Sequence, residues 1–316
     1  MKKAAIIFNP NSRQFFEKEK SIIESINKLC NMFQYSLEFC DCNNSQFYKD
    51  WHFVDMQYDN SIEADILFVV GGDGTKSHII NKLIHDEREV ILYGLPTGSI
   101  NIGTLNSING LEEIDGCMFQ LSEAALDAIV ISKNGKKKIY AFHDVILSDA
   151  CITSLDGKIT TVDSKNLFKY GEKIQKSITL YPTNNIKVTF VRDKAVARNI
   201  DISFDYAFIG CGANMQQLKY NILAGAADPY AVMGYNAGFI ISNIPLIINK
   251  EEAGCFIDKI PESMLLPLDH KSIITIDCFN ENTWLVCDGN VVDSIIPGDT
   301  LSFSFEKSVY KIMRCL

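Results

Sequence analysis

Residues 71–75, Gly-Gly-Asp-Gly-Thr, form a glycine-rich segment whose residue types suit phosphate chemistry. They directly follow the apolar run 64–70, which predicts a buried strand that ends in a turn. Glycine tolerates positive φ and has no side chain, so backbone N–H groups can surround an anion there. A helix predicted over 76–85 would point its N-terminus at the same place. The aspartate adds nothing to anion binding unless it holds a divalent cation or accepts a proton from an attacking hydroxyl.

The same five residues also suit an ordinary strand-to-helix loop, in which glycine and an Asp or Thr cap serve local structure alone. The elements around them favour the functional interpretation. The first third of the chain alternates apolar strands with helical periodicity, which predicts a parallel sheet covered by helices on both faces. The predicted strands are 4–8, 35–39, 66–70 and 90–95, and the predicted helices are 17–33 and 77–84.

Ligands of such sheets collect outside the carboxyl ends of the strands. Three polar segments fall at that edge in this prediction: 9–12, 71–75 and 96–101. Their convergence is the reason to treat the glycine-rich segment as a candidate phosphate site.

The pattern changes near residue 126 to short alternating segments separated by turn residues, which predicts a mostly antiparallel, β-rich second domain. We therefore expect an α/β domain over 1–122 and a β-rich domain over 123–316. The predicted strands are 126–132, 138–147, 158–162, 177–181, 186–191, 195–202, 272–279, 283–287, 291–296, 300–305 and 309–314, with turns at Asn134-Gly135, Asp156-Gly157, Asn184-Asn185, 288–290 and 297–299.

Composition excludes several functional classes. The chain has 316 residues, 47% hydrophobic and 22% charged, which is ordinary globular usage. Its net charge of −9 and pI of about 5.1 argue against nonspecific nucleic-acid binding, which depends on clustered Lys and Arg. The most apolar long region, 224–248, is interrupted by polar residues and prolines and fails as a membrane span. Ten cysteines without a C-x-x-C pair indicate no zinc site, and with no targeting segment they favour a reducing cytoplasm.

The chain resembles the superfamily that unites NAD kinases with diacylglycerol and sphingosine kinases. Residues 71–75 match its signature, and 94–101 are similar to its second phosphate-side loop. Asn9-Pro10 and 96–99 resemble the lipid-kinase versions of these loops, whereas 100–105 look like the Ile-Asn-x-Gly-x-Leu run of NAD kinases.

The second half favours the NAD-kinase branch. Residues 142–147 are similar to the NAD-kinase strand that grips the dinucleotide, and the tail around 287–289 and 297–301 resembles its closing strands. Two departures stand out. His143 replaces an asparagine of the family, and 210–215 replace the Thr-Gly-Ser-Thr-Ala-Tyr segment that shapes the acceptor pocket.

The resemblance implies a role for each candidate residue. Asp73 would activate the acceptor hydroxyl, and phosphoryl transfer needs little beyond such a base, positioning and charge neutralisation. A carboxylate such as Asp144 can accept hydrogen bonds from two ribose hydroxyls. We expect donor phosphates to contact Gly71, Gly72, Gly74 and Thr75, with Asn9, Gly98, Ser99 and Asn101 at the rim, and the acceptor to contact His143, Asp144 and Asn214. ATP would be the donor, with Mg²⁺ held by its phosphates, and the protein would form a homo-oligomer without stable membrane insertion.

The leading prediction is ATP-dependent phosphorylation of the adenosine-ribose 2′-hydroxyl of NAD to give NADP. Two alternatives stay open: a lipid kinase acting on a diacylglycerol-like alcohol, and a nucleotide-binding regulator that has lost turnover. Polyphosphate stays open as the donor. His143 can equally fill a half-buried strand position, and Asp288 beside Gly289 is typical of a hairpin turn.

Overall fold

The computed structural model describes residues 2–9, 15–32, 35–38, 64–97, 105–108, 110, 121–136, 138–155, 158–176, 184–204, 206–211, 237–242 and 263–315. The helices in these ranges are α1 (Phe15–Met32), α2 (Asp73–His85) and α3 (Ser164–Tyr170). The strands are β1 (Lys2–Phe8), β2 (Tyr35–Glu38), β3 (Ile66–Gly71), β4 (Ile91–Pro96), β5 (Leu121–Lys133), β6 (Lys138–Ala141), β7 (Asp144–Leu147), β8 (Ala150–Leu155), β9 (Lys158–Asp163), β10 (Asn184–Arg192), β11 (Ala195–Phe204), β12 (Tyr206–Cys211), β13 (Ala237–Ser242), β14 (Ser263–Leu268), β15 (Ser272–Asp277), β16 (Thr283–Cys287), β17 (Asn290–Ile295) and β18 (Leu301–Cys315).

The chain divides into two compact units. Unit 1 takes Met1–Leu126 together with Ser308–Leu316, and unit 2 takes Asp127–Lys307. The division into domains at residues 122 and 123 stays a prediction.

Unit 1 is built on a parallel sheet in the order β2, β1, β3, β4, with the last part of β18 parallel to β4. Every residue of β3 is buried, as expected for a central strand of a covered parallel sheet. The apolar stripe of α1 contributes Ile22, Ile26 and Leu29 to one core with Phe68 and Tyr93. The predicted parallel α/β part is confirmed.

Unit 2 is antiparallel. One set of strands runs β11, β10, β15 and the first part of β18, and a second runs β14, β13, β12, β7, β16, β17. The two sets share one core in which Phe239 and Phe303 pack with ring centroids 6.0 Å apart. The predicted β-rich, mostly antiparallel part is therefore confirmed. Within the described residues, no helix combines the length and the apolar character that crossing a bilayer requires.

Three local predictions are wrong. Asn184 and Asn185 begin β10 rather than form a turn, and the Asn184 side chain accepts a 3.0 Å hydrogen bond from Glu281 N. The strand predicted over 138–147 breaks at Phe142 and His143, which lie between β6 and β7. The strands predicted over 300–305 and 309–314 are one strand, β18, with Ser308 at a φ of 56° inside it.

The predictions for 156–157 and 177–181 lie outside the described residues.

Candidate functional site

At the carboxyl ends of the strands of unit 1, the predicted polar segment 71–75 lies beside the first residues of the other two predicted segments, Asn9 and Pro96-Thr97. Gly71 at the end of β3 lies opposite Pro96 at the end of β4. Asn9, just after β1, donates a 2.7 Å backbone hydrogen bond to the Val70 carbonyl. Asn9, Gly71 and Thr97 therefore lie at one edge of the sheet. The predicted rim residues Gly98, Ser99 and Asn101 lie outside the described residues.

Helix α2 begins earlier than predicted, at Asp73 rather than at residue 76. Asp73, Gly74 and Thr75 form its first turn, and Gly72 is the N-cap. Because glycine has no side chain, Gly72 offers no cap to the N–H groups of this turn. A helix start of this kind favours a bound anion, since its N–H groups and its dipole both attract negative charge.

Glycine is required at position 71 because Thr75 lies close to its Cα. A Cβ built at position 71 would lie 2.7 Å from Cβ and Cγ2 of Thr75 and 2.8 Å from its Oγ1. The Thr75 hydroxyl accepts a 2.8 Å hydrogen bond from Asn9 Nδ2, which holds the threonine side chain in place. The first glycine thus permits the contact between β1 and the first turn of α2.

Asp73 forms a buried ion pair that sequence reasoning missed. Asp73 is 6% exposed, and its Oδ1 lies 3.4 Å from Nζ of Lys76, which is 0% exposed. Lys76 Nζ also donates a hydrogen bond to Asn106 Oδ1. Burial lowers the pKa of Lys76, and the neighbouring Asp73 carboxylate opposes that shift. The i,i+3 spacing of Asp73 and Lys76 signals such a pair only when the helix begins at Asp73, three residues before the predicted start.

Residues 105–107 return to β4 after the second loop, and this return places Asn106 beside Lys76. Ser107 N donates a 2.8 Å hydrogen bond to the Gly94 carbonyl, and Gly94 N donates to Ser107 Oγ, also at 2.8 Å. A Cβ built at position 94 would lie 2.0 Å from the Leu105 carbonyl oxygen and 3.0 Å from Cδ of Lys76. Only glycine at position 94 allows the returning segment to lie this close to the strand.

In unit 2, His143 and Asp144 are buried, at 2% and 8% exposure. His143 lies in the break between β6 and β7, and Asp144 begins β7. Asp288 stabilises this break. The Asp288 carboxylate accepts hydrogen bonds from the backbone N–H groups of Phe142 at 3.0 and 3.1 Å, His143 at 2.8 Å and Asp144 at 3.2 Å. Asp288 lies in the turn between β16 and β17, with a φ of 49°, where the hairpin interpretation had placed it. It also positions the two residues predicted to contact the acceptor, whereas Asn214 lies outside the described residues.

Sequence comparison identifies relatives on both sides of the predicted superfamily. The pattern of the diacylglycerol kinase catalytic domain matches residues 3–132, which include the whole glycine-rich segment. An NAD kinase of Sulfurimonas denitrificans is 26% identical over 183 residues, covering 54% of this chain and 58% of that protein. The match thus spans little more than half the length of this curated relative.

Solved structures of a diacylglycerol kinase and of an NADH kinase share the fold of this chain. A diacylglycerol kinase from Bacillus anthracis strain Sterne superposes with a TM-score of 0.50 at 13% identity, over 98% of this chain and 96% of that chain. Yeast NADH kinase in complex with NADH superposes with a TM-score of 0.54 at 11% identity, over 99% of this chain and 83% of that chain. At these identities the likeness concerns the fold alone.

Proposed function

Because this chain belongs to the superfamily that unites NAD kinases with diacylglycerol kinases, we propose that it is a phosphotransferase acting on an alcohol. In this proposal ATP is the donor, and the acceptor is the adenosine-ribose 2′-hydroxyl of NAD, which becomes NADP. The observation that carries the proposal is the placement of Asp73 in the first turn of α2, at the sheet edge where Asn9, Gly71 and Thr97 lie together.

The proposed reaction is a direct transfer. The acceptor oxygen attacks the γ-phosphorus of ATP while the bond from that phosphorus to the β,γ-bridging oxygen breaks, so that ADP leaves. The Asp73 carboxylate accepts the proton of the acceptor hydroxyl, and the first turn of α2 receives the donor phosphates. The work of the site is then chiefly to position the two substrates and to balance charge.

Mg²⁺ would enter this site on the donor. Among the described residues, no three acidic, histidine or cysteine side chains come together as a metal site. Magnesium commonly keeps several waters and binds through substrate phosphates rather than through an all-protein cage. The ion would neutralise phosphate charge during transfer, and the residues of the chain would orient the phosphates.

The choice of NAD as acceptor rests on unit 2. A carboxylate such as Asp144 can accept hydrogen bonds from two neighbouring hydroxyls, as a ribose presents them. Asp288 holds the backbone of His143 and Asp144 through three consecutive N–H groups, so their positions are defined before any ligand binds. The NAD kinase relative adds support from sequence. The acceptor-binding roles of His143, Asp144 and Asn214 stay predictions, as does a homo-oligomer.

A lipid alcohol is the second candidate acceptor, because the matched domain pattern over 3–132 is that of diacylglycerol kinases. That match covers the part of the chain with the proposed donor site and ends before His143 and Asp144. It therefore supports the phosphotransfer chemistry more directly than it supports a lipid acceptor.

The compartment proposed from the sequence is a reducing cytoplasm. In keeping with it, Cys30, Cys151, Cys278 and Cys287 are free thiols.

One experiment separates the candidates. Purified protein is incubated with ATP and Mg²⁺, once with NAD and once with diacylglycerol in mixed micelles, and the products are identified by chromatography and mass spectrometry. Asp73→Asn, which removes the proposed base, serves as the control in both incubations. NADP formation that the variant lacks supports the proposal, and lipid phosphate formation alone would replace NAD by a lipid acceptor. Nucleotide binding without either product would favour the regulator.

A further inference from the structure

The buried pair of Asp73 and Lys76 bears on how a polyanion can bind beside a carboxylate. We infer that Lys76 is an internal counter-charge, which cancels the charge of Asp73 so that a triphosphate can bind at the first turn of α2. This inference rests on the proposed donor site. It assigns to Lys76 a positioning and electrostatic role and no contact with the reacting atoms.

The geometry places the lysine where such a role is possible. Its Nζ lies 3.4 Å from Asp73 Oδ1, and its side chain is fully buried, so solvent screens the pair weakly. In the described part of the chain the ammonium has two polar partners, Asp73 and Asn106. The stem of Lys76 passes close to Gly94, since a Cβ there would come within 3.0 Å of its Cδ.

The pair also links the two sides of the proposed donor site. Asp73 belongs to the first turn of α2, and Asn106 belongs to the segment that returns to β4 after the second loop. One ammonium therefore bonds to both. Any buried ammonium needs such partners, so the effect of each substitution on phosphate binding is what distinguishes a counter-charge from a lysine that only fills space.

Electrostatics gives the reason for the arrangement. A helix N-terminus attracts anions, but an uncompensated carboxylate in its first turn repels them. Asp73 is needed as the proposed base and cannot be replaced by a neutral residue without losing proton transfer. Lys76 resolves this conflict because the pair has no net charge, so the helix N-terminus keeps its attraction for phosphate.

The substitutions of Lys76 and of Asp73 should change the affinity for ATP in opposite directions. Lys76→Met leaves the carboxylate uncompensated and should weaken binding of ATP with Mg²⁺ on the order of tenfold. Asp73→Asn leaves the Lys76 ammonium uncompensated and no longer opposes the lowering of its pKa by burial. At a pH where Lys76 stays protonated, this variant should bind ATP with Mg²⁺ more tightly by a similar factor, while turnover falls. The double variant should bind nearly as the unmodified protein does. A purely structural pair would behave differently, because breaking it from either side would weaken binding.

The test is titration calorimetry with ATP and Mg²⁺, and separately with tripolyphosphate, at constant ionic strength. Lys76→Gln is measured beside Lys76→Met, because glutamine keeps a hydrogen-bond donor near Asn106 while it removes the charge. Lys82→Met removes a lysine from the last turn of the same helix and controls for the change in net charge, so it should bind as the unmodified protein does. Circular dichroism verifies that each variant is folded.

Weaker binding in the Lys76 variants and tighter binding in Asp73→Asn would support the inference. Equal or weaker binding in Asp73→Asn would overturn it, whether or not the Lys76 variants fold. If the unmodified protein binds neither ATP nor tripolyphosphate, the proposed donor site fails and the inference fails with it. If the unmodified protein binds the donor but the variants do not change its affinity in the expected directions, the inference about Lys76 is wrong and the proposed donor site stands.

Discussion

The backbone N–H of His143 donates a 2.8 Å hydrogen bond to Oδ1 of Asp288, a residue 145 positions further along the chain. The same carboxylate accepts from Phe142 and Asp144, so one side chain in the β16–β17 turn determines where β6 ends and β7 begins. The conformation of the predicted acceptor residues therefore depends on the last third of the sequence.

Removing this carboxylate should destabilise unit 2. We expect Asp288→Ala to lower the free energy of unfolding by about 3 kcal/mol, because three buried N–H groups lose their acceptor. Asp288→Asn should cost less, since its amide oxygen still accepts. The measurement is urea unfolding followed by tryptophan fluorescence, to which Trp284 in β16 contributes.

Asp201→Ala is the matched control, because Asp201 is an exposed aspartate on β11 of the same unit. Its effect should stay within about 0.5 kcal/mol, as is usual for surface substitutions. Equal unfolding midpoints for Asp288→Ala and Asp201→Ala would refute the role of Asp288.

Gly94→Ala should disrupt the return of residues 105–107 onto β4. The added Cβ would lie 2.0 Å from a backbone oxygen of Leu105, which cannot rotate away as a side chain can. We expect a loss of about 3 kcal/mol in stability, at the upper end of the usual cost of overpacking. The affinity for ATP should fall as well, because Asn106 would move away from Lys76.

Gly135→Ala provides the comparison for Gly94→Ala. Gly135 has a φ of +65° and open space around the position of a Cβ, so only backbone strain opposes the change. That strain costs about 1 kcal/mol. The prediction for Gly94 fails if the two substitutions lower the urea midpoint equally.

The sequence predicted the fold class because the signals for it are local. The apolar run of β3 and the helical spacing of the apolar residues in α1 can each be recognised within a short stretch of sequence. What it could not supply are contacts between distant segments. Asn106 reaches Lys76 only because Ser107 pairs with Gly94, and the strand break at His143 needs Asp288. Asp73 was identified from its neighbours in sequence, whereas its buried partner required the helix to begin three residues earlier than predicted.

Buried thiols provide a chemical test of the packing within each unit. Burial raises the pKa of Cys30 to about 11, and that of Cys151 to about 12 although a hydrogen bond with Ser164 opposes the shift. The thiolate is the reactive form, so both cysteines stay protonated near pH 8 and gain reactivity only as the pH approaches these values. Iodoacetamide at pH 8, followed by peptide mass spectrometry, should leave both unmodified in the native protein and modify both in urea.

Cys278 is exposed and serves as the positive control for labelling. It should react in the native protein, although a hydrogen bond with Asp277 raises its pKa and slows the reaction. Rapid native labelling of Cys151 would show that the packing around β8 and α3 differs from the structure described here.

The proposed phosphotransfer requires Asp73 to accept the proton of the acceptor hydroxyl during transfer from ATP. The most direct measurement is the rate of NADP formation from NAD, ATP and Mg²⁺ by the unmodified protein and by Asp73→Asn, with urea midpoints for both. We predict that the substitution lowers turnover at least about a hundredfold, the usual contribution of a general base, while the fold is retained. Near-normal turnover in Asp73→Asn would show that Asp73 is not the base.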